Sequence, residues 1–99
     1  MEFPNAIDVG RTNEQGHDLI LAPMGSDVDR WTDPERDSVH LDATSAAKKK
    51  GWPGAIVFVW TSGSHERHHA PGVPRHVYEA ITFQDALDCV KNPPEFLSW

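Results

Sequence analysis

The residues best suited to chemistry lie together in His65-Glu66-Arg67-His68-His69, a run with the spacing H-E-x-x-H. On a helix that spacing puts two imidazoles on one face to hold Zn²⁺, with the glutamate placed to activate the metal-bound water. The surroundings do not supply the helix. Gly63 and Ser64 precede the run, Pro71, Gly72 and Pro74 follow it, and nothing apolar inside it would bury a helix face. A looser arrangement, with two or three of His65, His68, His69 and His76 gripping Zn²⁺ or Ni²⁺, stands as the metal-binding or metal-dependent hydrolase alternative. The plainer expectation is a solvated, mobile loop over 61–75 with no cofactor.

The second cluster is acidic. Asp27, Asp29, Asp33, Glu35, Asp37 and Asp42 share their stretch with only Arg30 and Arg36. Asp27-x-Asp29 opens like a calcium loop, but Trp31 stands at the third ligand position, Thr32 replaces the turn glycine and Ser38 replaces the bidentate glutamate. That pattern therefore fails. The belt reads instead as a solvated face or as a docking surface for a partner with a basic surface. With Trp99 as an aromatic anchor, the partner-binding set is Asp27, Asp29, Asp33, Glu35, Asp37 and Trp99. No nucleophile emerges. Cys89 lies near a helix C-terminus, where the dipole disfavours a thiolate, and Ser62 and Ser64 have no G-x-S-x-G turn around them.

The elements that must position these groups are organised around Ala55-Ile56-Val57-Phe58-Val59-Trp60. Six consecutive apolar residues between Pro53-Gly54 and Thr61-Ser62-Gly63 fit a strand buried on both faces, so the rest of the chain must cover both. Ala6–Val9 and Asp18–Ala22 read as two strands of a hairpin turning at Arg11–Gly16, and Val39–Leu41 as a third short strand. Asp42 would cap a helix over 43–50, with Ala43, Ala46 and Ala47 inward, three lysines at its negative end and Gly51 as its stop. Trp52 follows as the hydrophobic contact of that stop. Asp33-Pro34-Glu35 suggests one isolated helical turn. His76–Ile81 alternates as a strand. Thr82 and Asp85 then form a capping box for a helix over 83–91 whose buried face is Phe83, Ala86, Leu87 and Val90.

These elements predict one α+β domain over 1–99. Its sheet has four or five mainly antiparallel strands around 55–60, packed by the helix at 83–91 and the short helix at 43–50. A parallel crossover leads into the central strand from Val39. Fifteen acidic residues against nine Lys and Arg give a net charge of −6, which argues against direct nucleic-acid binding and docking on anionic lipid. The single cysteine excludes an intrachain disulfide and any zinc site built on cysteines. Met1–Asn5 shows no leader pattern and no run approaches the ~20 apolar residues of a membrane span, so a cytoplasmic location is expected. The function these features favour is a non-enzymatic protein-interaction module, a small acidic inhibitor or modulator of a larger complex, with nucleic-acid mimicry as one form. The alternatives are the metal site in the histidine stretch and a small-ligand domain with its pocket between sheet and loop.

Overall fold

In the computed structural model, which describes residues 3–99, the apolar run forms the core of β3 (Ala55–Ser62). Its side chains divide as a pleated strand requires. Ile56, Phe58 and Trp60 join one core, while Ala55, Val57 and Val59 point into another. Phe58 is completely buried, and each such side chain contributes roughly 1.5–3 kcal/mol of burial.

The two faces are covered by different parts of the chain. Strands β1 (Ala6–Glu14) and β2 (His17–Pro23) form the expected hairpin. The hairpin is longer than its apolar residues indicate, because Gln15 and Gly16 alone make the turn, both at positive φ. From β2 the chain passes through a short 3₁₀ helix (Ser26–Arg30) and then α1 (Asp33–Lys49), and returns as β3 parallel to β2. This crossover lays Val39, Ala43, Ala46 and Ala47 of α1 on the first face, together with Val28 and Trp31. Next come β4 (His65–His69), a single helical turn α2 (Arg75–Tyr78), α3 (Phe83–Cys89) and β5 (Glu95–Ser98). Val77, Ile81 and Ala86 cover the second face. The strand order is β4-β3-β2-β1-β5, antiparallel except at β2–β3.

The α+β architecture is the expected one, but several elements differ. Val39–Leu41 is not a strand, and the helix at 43–50 is only the last part of α1. The cap is Thr32, whose hydroxyl accepts from the Glu35 N–H while the Glu35 carboxylate accepts from the Thr32 N–H. With Pro34 in the first turn, this box starts the helix well before Asp42. The crossover accordingly leaves β2, not Val39. The stop was read correctly: Gly51 takes positive φ and donates to Lys48, and Trp52 donates to Ala47, closing the helix in a Schellman turn.

Within 61–75 only the turn at 63–64 and the stretch 70–74 lie outside strand and helix. β3 runs to Ser62, Gly63-Ser64 turns the chain, and β4 pairs with β3 from His65 to His69. His76–Ile81 is not a strand, because Pro74 starts a helical turn there and Ile81 donates back to Tyr78. The capping box of Thr82 and Asp85 forms as expected. The face of α3 is shifted, however: Ala86 is fully buried and Leu87 is 42% exposed. The reason lies in Gly10. A Cβ there would stand 2.3 Å from the Cys89 carbonyl oxygen, so α3 settles onto the bare backbone of β1 through its small residues, turning Leu87 outward.

Candidate functional site

The histidine stretch is an edge strand, so its side chains alternate between two layers. Glu66 and His68 turn toward α3. The Glu66 carboxylate accepts from the Phe83 N–H at 2.8 Å, satisfying the first turn of that helix. His68 lies against the Tyr78 ring and reaches the Ile81 carbonyl with Nε2. Arg67 and His69 turn toward α1. His69 Nε2 is 2.9 Å from Asp37, off the angle of a good hydrogen bond, and its ring meets His40 edge-on at 5.7 Å. His40 in turn donates from Nε2 to the Ile56 carbonyl at 2.7 Å, a β3 acceptor beyond the last residue that β4 pairs. Burial pushes the His40 imidazole below its usual range, favouring the neutral ring. His65 and His76 are exposed, on the β3–β4 hairpin and on α2. The four candidate metal ligands are thus divided between two faces and a helix. Among the described residues, no group of three or more His, Cys, Asp or Glu is placed to hold a metal ion.

Four of the belt acids are engaged inside the molecule. Asp29 accepts from Ser62 Oγ at 2.8 Å and from Trp60 Nε1 at 3.3 Å, and lies 3.9 Å from Arg67. The Ser62 hydrogen bond, then that of Trp60, holds its carboxyl below the usual carboxylate range. Asp33 pairs with Arg36 at 3.0 Å, Glu35 completes the capping box, and Asp37 contacts His69. Arg36 spans the region, donating to the Val28 and Asp29 carbonyls and lying over the Trp60 ring. Asp27 and Asp42 make no hydrogen bond or ion pair among the described residues and are exposed.

A large concavity lies where the sheet forks. Residues 6–9 of β1 pair only with β5, and residues 10–14 pair only with β2. The β1–β2 ladder stops at Gly10–Leu21 because Pro23, next in line to donate, has no N–H. On the other side of β2 the pairing continues, with Met24 donating to Val59. The resulting slot is a groove of about 620 Å³, with Ala6–Asp8 on one bank and Pro23–Gly25 on the other. Val28 and Trp31 wall it on the α1 side, and Leu87 and Val90 on the α3 side. Trp31 is 3% exposed, and its indole N–H has no acceptor. Phe3 and Pro4 separate this groove from a second of about 370 Å³, lined by Pro34, Val39 and Trp99.

Trp99 borders this second groove. Its N–H bonds Asn5, docking the tail as an edge strand, while its ring remains 37% exposed beside the second groove. The Phe3, Pro4, Asp8 and Leu87 contributions went unrecognised in the sequence. The available signal was Pro23 at the end of a hairpin strand, which breaks a ladder and so opens a sheet. No helix among the described residues is long and apolar enough to cross a membrane. No protein-family model, curated protein or solved structure matches the chain.

Proposed function

We propose that this chain is a non-enzymatic protein-interaction module that binds a basic partner through the face carrying the two adjoining grooves. The observation that carries this reading is the convergence of Phe3, Leu87 and Trp99 on that face. They are three of the five large hydrophobic side chains exposed among the described residues, and they are set among the carboxylates of Asp8, Asp27, Glu35 and Asp42. Aromatic anchors in pockets with charge at the rim are the usual anatomy of a protein-binding surface. The excess of acid over base in the whole chain favours a cationic partner and faster encounter with it. Inhibition or modulation of a larger complex fits this small, acidic surface. Nucleic-acid mimicry has less support than the sequence suggests, since Asp29, Asp33, Glu35 and Asp37 are turned to internal bonds.

The test is affinity capture from the native host with the unaltered chain and with the pair Asp27→Lys and Asp42→Lys, two acids with no internal partner. A partner retained by the first and lost by the second, with association slowed as salt rises from 0.1 M to 1 M, is the expected result. That rise shortens the screening length from ~10 Å to ~3 Å. A partner held equally by both baits, or none at all, would sink the reading.

A further inference from the structure

We infer that the fork between β1 and β2 is a strand-insertion site, which takes a short extended peptide with apolar side chains flanked by Lys or Arg. The inference rests on the interaction reading above and specifies the form of the ligand.

The register supplies the first argument. The Trp99 N–H bonds the Asn5 carbonyl, so Asn5, Ile7 and Val9 direct their backbone groups at β5. Ala6 and Asp8 then direct theirs the other way, into the fork. The Asp8 carbonyl faces Pro23, which has no hydrogen to give, and among the described residues Ala6 makes no backbone bond to the opposite bank. A strand laid in the slot would supply what this bank lacks, as when an extended peptide adds to an exposed sheet edge.

The walls supply the second argument. An open sheet edge offers a peptide only one flank, whereas this groove is lined by both banks and by residues from the layers on either side of the sheet. The side chains of an inserted strand, alternating at each residue, would meet Val28 and Trp31 on one side and Leu87 and Val90 on the other. Both sets are apolar, which calls for apolar residues at consecutive positions. A helix satisfies its own backbone groups internally and would leave those of Ala6 and Asp8 without a partner.

Charge supplies the third. Asp27 rises from the 3₁₀ helix on one side. Asp8 lies on the other, because Ile7 and Val9 point to the α1 side and alternation puts Asp8 opposite. Along the groove Asp8 is two residues from the closed end at Gly10–Leu21, and the Asp27 carboxylate lies against Gly25 toward the open end, so a cation at either end of the peptide would meet a carboxylate. The bank from Asn5 to Val9 is ~13 Å long at ~3.3 Å per residue, enough for about five residues.

The probe is a pool of capped peptides of about five residues, with Lys at both ends and Val, Leu, Ile or Phe at each central position. Binding is followed by the amide resonances of the isotopically labelled full chain. The expected result is a shift and slowed hydrogen exchange at the Ala6 amide. Affinity should fall by about tenfold or more when the central peptide nitrogens are methylated or the ends are changed to Glu. Ala6→Pro removes only the N–H that faces the fork, at the first residue of a strand where proline is tolerated, and should weaken binding about five- to tenfold. Asp8→Lys should shift preference toward the Glu-ended pool, a readout that does not depend on the proline variant folding.

No perturbation at Ala6 with peptide at about 1 mM, or equal binding of the methylated pool, would overturn the strand assignment. If surface-dependent capture persisted under that outcome, the interaction reading would survive and only the mode of binding would fall. Loss of surface-dependent capture would instead remove the reading on which the inference stands.

Discussion

His40 shows how much of this molecule turns on single side chains. Its imidazole caps a β3 carbonyl that no strand reaches, packs edge-on against Phe58 at 5.2 Å, and faces His69 and Asp37. Removing it should leave the Ile56 acceptor dry and unpaired, so His40→Ala is expected to cost about 1–3 kcal/mol, read by urea denaturation. The pH dependence follows from the direction of its shift. Folded His40 binds its proton less readily than unfolded His40, so its contribution to stability is fully present above about pH 6.5 and is lost as pH falls toward the folded value. Denaturation midpoints of wild type should decline over that window, and His40→Gln, whose amide can still reach Ile56, should flatten the decline; an unchanged slope would contradict the assignment. Leu87 gives the converse case. Its spacing marks it as core, but its exposure predicts that Leu87→Ala costs less than about 1 kcal/mol, whereas Phe58→Ala should cost about 3–5 kcal/mol. Comparable losses for the two would mean that the α3 face has been assigned wrongly.

Among the elements, those announced by local chemistry were legible and those decided by partners were not. The central strand, the hairpin, the helix stop at Gly51-Trp52 and the capping box at Thr82 each carry their signal within a few residues. The strand His65–His69 carries none in composition. Polar residues are acceptable there because one edge is free and each flank meets a polar group, Glu66 the Phe83 N–H of α3 and His69 the Asp37 carboxylate of α1. Its one local sign was Gly63-Ser64, a pair suited to a two-residue hairpin turn. Val39–Leu41 has the β-branched and apolar character of a strand over three residues, but Thr32 and Glu35 have already committed the chain to helix. Of the candidate site, Trp99 and Asp27 were legible as surface groups. The groove they border was not, since it exists only where β1 changes partners. Thr32→Ala tests the helix assignment directly. Losing the box should destabilise the protein by about 0.5–2 kcal/mol, and hydrogen exchange should quicken over the first turns of α1; no change in either measurement would count against the cap.

At the scale of the whole molecule, the parallel pair β2–β3 lies inside the sheet, β1 and β4 flank it, and β5 closes the β1 edge. Residues 6–9 of β1 owe all of their ladder bonds to β5, because their other side is the fork. A chain lacking 95–99 would leave that half of β1 open on both sides, with Ile7 and Val9 deprived of the buried Leu97. Such a variant is expected to aggregate at concentrations where the full chain stays dispersed, measured by light scattering; a monodisperse truncated protein would refute this. The same dependence bears on the order in which the chain is made. β5 is the last of the five strands to leave the ribosome, and the residues it must pair with are among the first. Until β5 emerges, then, residues 6–9 of the opening strand wait without a ladder partner, although residues 10–14 can already pair with β2. A translating chain of this topology leaves Ile7 and Val9 without Leu97 until β5 emerges, and a holdase that shields such a segment would act on it longer than on any later strand.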